Sequence, residues 1–409
     1  MRPSVLQLAR RVFPVALLIL AMSLTNRGIS LADDRPSSAE NHTADPKIRD
    51  AKIATLILQL GDDTCSRRET AMEELGKLGI ATKVALTAAA DHPDLEVRIR
   101  ARQLLTTVLA NDFQRRLQEF ADDTTETQAT DLPAWSKFKK QYGGGKSARK
   151  LFVEMQKADA DLLATIADRP SKVSELLELR CQTFMTAQLT TVYRAGRTVM
   201  STGAATAILF ATTDEQVKIN DSTGTWIAGL SQQGRSTLGP AIVAGEYDGL
   251  PKKLVAQWIS RPVDKNFANT PRMNLTLAVT YQLPEGVVPA RVVVQQPTAG
   301  FYKQQAFMVL AKHGGQEDLP AMEASFKEET TVGHLAVPNK VGPTAIQVRD
   351  VALCASLRLT GQNPKDYGYD VLVENETLLY NLNTIGFSDA DARDAAFKKW
   401  QDWSAAHKK

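Results

Sequence analysis

The chain has 409 residues, with 49 Lys and Arg against 46 Asp and Glu, 43% hydrophobic side chains and three cysteines. That length and apolar content support a substantial buried core, while three scattered cysteines exclude a disulfide framework. The formal charge of +3 excludes the strongly basic surface that binds nucleic acid.

The first segment reads as an export signal. Arg2, Arg10 and Arg11 precede an uncharged apolar run from Val12 to Leu24, and Ser30-Leu31-Ala32 offers the small residues a signal peptidase reads. Thirteen residues fall short of the roughly 20 needed to cross a bilayer core, so cleavage near Ala32 is expected rather than an anchor. Residues 1–32 hold four Arg and no acid; 49 less four leaves 45 basic against 46 acidic residues, a formal charge of −1. The chain beyond Ala32 is expected in the periplasm or outside the cell, with no membrane span and no nucleic-acid partner.

Residues 33–46 are polar, contain two prolines and read as a flexible leader. From Lys47 the apolar pattern becomes helical. Ile53, Ile57 and Leu60 mark a first helix ending at Gly61. Ala71, Met72, Leu75 and Leu78 mark a second, with Asp62, Asp63 and Thr64 as capping candidates and Gly79 as its stop. A third covers Ile80 to Ala90, and a fourth enters at Asp91-His92-Pro93. Turns this short imply antiparallel hairpins. Within the fourth helix Val97, Ala101, Leu104 and Val108 form one stripe, with Arg98 and Arg102 off it toward solvent. The phrase returns late in the chain, where Val348, Ala352, Ala355 and Leu359 repeat the steps of four, three and four.

The run Leu75-Gly76-Lys77-Leu78-Gly79, followed by Asp91-His92-Pro93-Asp94-Leu95-Glu96-Val97-Arg98-Ile99-Arg100-Ala101, resembles a HEAT-type helical repeat. The acidic–proline–acidic entry and V-R-x-x-A carry the likeness. The second copy keeps Val348, Arg349 and Ala352 but has Ala345 where the first has Asp94. The resemblance covers residues 47–110 and, more weakly, 300–409. It implies an all-α chain whose paired helices stack as an irregular superhelix, the solenoid architecture.

Three regions follow: HEAT-like hairpins at 47–112, a helical middle at 113–295 and a C-terminal HEAT-like region at 296–409. Residues 121–132, acidic and without Lys or Arg, read as an exposed linker. Trp135, Phe138 and Tyr142 cluster before Gly143-Gly144-Gly145, and the eleven apolar or small residues from Thr202 to Thr212 suit a buried helix. Further helices are expected at 222–234, 250–260, 271–283, 286–294, 301–313, 317–328 and 388–406, the last capped by Ser388. Only Arg291-Val292-Val293-Val294 looks strand-like, and one such run cannot form a sheet.

No motif assigns a catalytic, cofactor-binding or metal-binding residue. Gly143-Gly144-Gly145-Lys146-Ser147 lacks the first glycine of a phosphate loop, since Lys140 stands five residues before Gly145. Ser136 with Lys139 and Ser147 with Lys150 fit S-x-x-K without its companion motifs. His42, His92, His313, His334 and His407 form no zinc-ligand spacing. The pairs Glu73-Glu74, Asp122-Asp123 and Asp389/Asp391 read as solvated faces, linkers and caps, and Trp400 with Trp403 as a packing seam. Cys65, Cys181 and Cys354 read as small buried hydrophobes. The function expected is non-catalytic binding or scaffolding in the cell envelope, with a protein as partner. The competing expectation is an envelope hydrolase whose site would lie in the helical middle.

Overall fold

The computed structural model describes residues 46–123, 132–191, 199–232, 234–297, 300–337 and 342–407. The signal reading and residues 33–45 of the leader therefore lie outside the described residues, as does the linker reading at 124–131, while Pro46 opens the first helix instead of closing the leader. The flanking Ala121 and Asp122 belong to a helix instead, and Leu132 is buried. The described chain is helical and divides into two compact units, one ending at Leu109 and one beginning at Ala110.

In the first unit, α1 (Pro46–Gln59), α2 (Cys65–Leu78), α3 (Lys83–Ala89) and α4 (Leu95–Asp122) form consecutive hairpins, and the division between the units falls within α4. Val97, Ala101, Leu104 and Val108 lie in one core with Ile53, Leu56, Leu60, Ala71, Leu75 and Leu86, as the stripe required. The two turns repeat one another at a spacing of 30 residues. Asp62 Oδ1 accepts the N–H of Thr64, and His92 Nδ1 accepts that of Asp94. Arg68 donates back to the carbonyl of Asp62 at 2.7 Å, and Arg98 to that of His92 at 2.6 Å. Ala71 and Ala101, again 30 apart, are both fully buried. Asp94 also accepts the Val97 N–H, which holds its carboxyl below the usual carboxylate range. The period escaped the sequence because polar atoms of different residue types, Asp and His, make the same turn bond.

The second unit contains α5 (Trp135–Tyr142), α6 (Lys146–Asp168), α7 (Val173–Thr191), α8 (Thr202–Ala211), α9 (Asp221–Ala228), α10 (Leu238–Val243), α11 (Leu250–Ile259), α12 (Thr270–Tyr281), α13 (Val287–Gln295), α14 (Gly300–His313), α15 (Leu319–Ala324), α16 (Val348–Leu359) and α17 (Ala390–His407). Its apolar interior has two parts. One gathers Phe120, Phe138, Phe152 and Phe210 with the helices up to α12; the other gathers Phe307, Val351, Tyr369, Phe387 and Trp400. Helix α6 breaks at Asp159, whose Oδ1 restarts the helix by accepting the Leu162 N–H. Arg180 of α7 clamps that carboxylate at 2.8 and 3.0 Å. Gly203 lets the start of α8 meet the Glu154 carbonyl of α6, where a Cβ has no room.

Three local expectations change. Two antiparallel ribbons interrupt the C-terminal helices: β1 (Thr331–Leu335) with β2 (Thr344–Gln347), and β3 (Glu374–Asn375) with β4 (Leu379–Tyr380). Strands of two to five residues are too short to show alternation, whereas the strand-like Arg291–Val294 lies inside α13. Helix α17 takes Asp389 rather than Ser388 as its cap, through Ala392 N–H to Asp389 Oδ1 at 2.9 Å. The second repeated phrase is not one-sided: α16 is buried at every position from Val348 to Leu357 except Arg349. It runs through the second interior part instead of closing a hairpin with one exposed face.

Candidate interaction sites

The residues weighed for chemistry are held in structural roles. Gly143 adopts φ 85° to end α5, and Gly145 precedes the first turn of α6. Glu73 and Glu74 pair with Lys77, and Glu74 also with Lys52, on an exposed face. His313 ends α14, where burial and neighbouring Lys312 lower its pKa; His334 lies exposed in β1. No group of three or more His, Cys, Asp or Glu suited to a metal occurs among the described residues.

The cysteines separate by environment. Burial pushes the Cys181 thiol up to about 11 and that of Cys354 further. Cys65, expected inside, is exposed at the start of α2, because its position precedes the first buried residue of that helix.

The tryptophan pair is half a seam and half a surface. Trp400 is buried against Phe326, while Trp403 stacks on His407 with ring centroids 4.6 Å apart. Trp403, Ser404 and His407 line a cleft of about 440 Å³ with Gln316, Leu319, Pro320 and Glu323. His407 Nδ1 lies 2.8 Å from the Trp403 carbonyl, so its ring is oriented by backbone rather than by a carboxylate. The Ser–His–acid relay of a serine hydrolase is not assembled there.

Exposed apolar side chains are concentrated elsewhere. Of thirteen large hydrophobic residues exposed among the described residues, seven lie in the first unit: Ile48, Leu58, Ile80, Val84, Leu95, Ile99 and Leu109. Val84 on α3 is 81% exposed. Leu95 and Ile99 stand one turn apart on α4, opposite its buried stripe. Their charged neighbours are mutually neutralised, with Arg100 bridging Glu69 and Glu96 at 2.8 and 2.6 Å. These Leu, Ile and Val side chains leave apolar area in contact with water. The sequence carried this signal, since Leu95 and Ile99 fall off the periodic stripe; hairpin packing alone decides which off-stripe residues stay uncovered.

Compared with known protein families, curated proteins and solved structures, the chain matches none of them.

Proposed function

We propose that this chain is an exported, non-catalytic binding protein of the cell envelope, whose first unit is a HEAT-like hairpin array that docks another protein. The observation that carries this reading is the concentration of exposed apolar side chains on residues 46–109. The 30-residue recurrence of turn bonds and buried alanines supports the repeat assignment, because stacked hairpins offer an extended surface without a catalytic pocket. The Arg-flanked run Val12–Leu24 supports export.

The test pairs the full chain with two double variants, Leu58→Glu/Val84→Glu and Leu95→Glu/Ile99→Glu, in cross-linking from envelope fractions. One stoichiometric protein partner is expected with the native chain and lost with at least one variant at unchanged melting temperature. A chain that captures no protein, or both variants retaining the same partner, overturns the reading. N-terminal sequencing of the secreted chain is expected to begin near Asp33, and recovery of intact Met1 in membranes refutes export by cleavage.

A further inference from the structure

A separate pocket in the second unit has a different chemistry. It holds about 340 Å³ and is lined by Phe301, Gln304, Val332, Asn375, Leu378, Tyr380, Asn381, Leu382 and Asn383. None of the nine carries a charge, and four are side-chain amides. They arrive from four places: α14, β1, the β3–β4 ribbon and the turn after it.

The amides are supplied with more hydrogen-bonding capacity than the protein uses. Gln304 is 2% exposed, yet its Nε2 has no partner, an arrangement that folded chains ordinarily avoid. Asn375 spends its Oδ1 on the N–H groups of Thr377 and Leu378, and Asn381 spends its own on that of Asn383. Both asparagines are exposed, so their Nδ2 groups face solvent and are open to a ligand. Gly333 of β1 adds no side chain: a Cβ there would lie 3.6 Å from Asn383 Oδ1 and 3.9 Å from Gln304 Nε2, so both amides flank the same point of β1. Gly300 admits the Val332 side chain against its own backbone, which seats the wall of the pocket. The exposed Phe301 ring, one turn before Gln304, supplies a flat apolar face at the rim.

We infer that this pocket binds a neutral saccharide ring. A side-chain amide offers a donor and an acceptor side by side, which matches two adjacent hydroxyls. An aromatic face accepts the apolar C–H face of the same ring. The absence of charge in the lining disfavours acidic sugars and anions, which lose hydration without gaining a counter-charge. An extended peptide would need a linear row of backbone partners; here the polar groups converge from four elements on one compact volume, which suits a ring with hydroxyls pointing in several directions.

The full chain is titrated calorimetrically, and by saturation-transfer NMR, with D-glucose, D-galactose, D-mannose and N-acetyl-D-glucosamine. The β-1,4-linked dimers of glucose and of N-acetylglucosamine distinguish a free sugar from a glycan chain. D-glucuronate and the capped peptide acetyl-Ala-Ala-Ala-amide are the controls. At least one neutral sugar is expected to bind with a dissociation constant of about 10 mM or tighter. Binding is expected to weaken about tenfold or more in Phe301→Ala, Asn383→Ala and Gln304→Leu, since each removes one face of the ring's contacts. Phe301 and Asn383 are exposed, so their variants fold even where the buried Gln304→Leu does not. No sugar binding, binding unchanged in both Phe301→Ala and Asn383→Ala, or preference for glucuronate or the peptide overturns the inference.

Discussion

At the scale of single residues, position on the α4 stripe outweighs residue chemistry. Ala101 is fully buried, whereas Arg102 is exposed and reaches the Ala90 carbonyl at 2.9 Å. Ala101→Glu places an unpartnered charge in the hairpin core and is expected to cost about 3 kcal/mol or more. Arg102→Glu is expected to cost less than about 1 kcal/mol. Denaturant midpoints of the two variants decide this, and a wild-type midpoint for Ala101→Glu refutes the stripe as a seam. Asp221, in the first turn of α9, works through hydrogen bonds instead. Burial opposes its ionisation, but bonds from the backbone and hydroxyl of Thr270, at 2.8 and 2.7 Å, and from the N–H groups of Asn269 and Ala268 win, holding its pKa below the ordinary value. Its contribution is therefore fully present above the unfolded pKa of about 3.9 and is lost as pH falls through the lower folded value. Asp221→Ala is expected to destabilise by about 1–3 kcal/mol at pH 7, and the gap to wild type should close as melts are repeated toward pH 2.

At the scale of elements, α16 shows what a sequence pattern conceals. The small and apolar residues at Val348, Ala352 and Ala355 are buried as their spacing implied, but so are Asp350 and Ser356, which a stripe would have left in water. Asp350 is tolerated inside because Arg393 of α17 grips both its oxygens at 2.7 and 3.0 Å, while the Gln347 N–H donates to Oδ2 at 2.9 Å. The partner lies 43 residues away in sequence, which is why local periodicity could not reveal it. Arg393→Ala leaves a buried carboxylate unpaired and is expected to cost about 3–5 kcal/mol. The double variant Arg393→Met/Asp350→Leu should recover most of that loss in thermal melts; no recovery would mean that the helix depends on the charges themselves. The saccharide pocket was hidden for the same reason. Gln304 and Asn383 are unremarkable in sequence and meet only because β1 lies between their elements.

At the scale of the whole molecule, the helical class was legible because hydrophobic periods of 3.6 accumulate over many turns, whereas the ribbons β1–β2 and β3–β4 were too short to register. The two units carry their own consequence for unfolding. All five tryptophans, Trp135, Trp226, Trp258, Trp400 and Trp403, lie beyond Leu109. Tryptophan fluorescence therefore reports the second unit, while far-ultraviolet circular dichroism reports helix in both. The first unit has a separate and smaller core, so the two probes are expected to give non-coincident denaturant transitions. Superimposable curves would mean that the units unfold as one.

The burial of α16 on nearly all sides also makes it a clock for the protein. Its central backbone amides meet deuterium when the surrounding helices come apart, because from Val348 to Leu357 only Arg349 reaches solvent. In an exchange time course the peptide spanning 348–359 is expected to be among the last to gain mass. Its rate then reads the full unfolding free energy of the second unit in plain buffer, without denaturant or extrapolation.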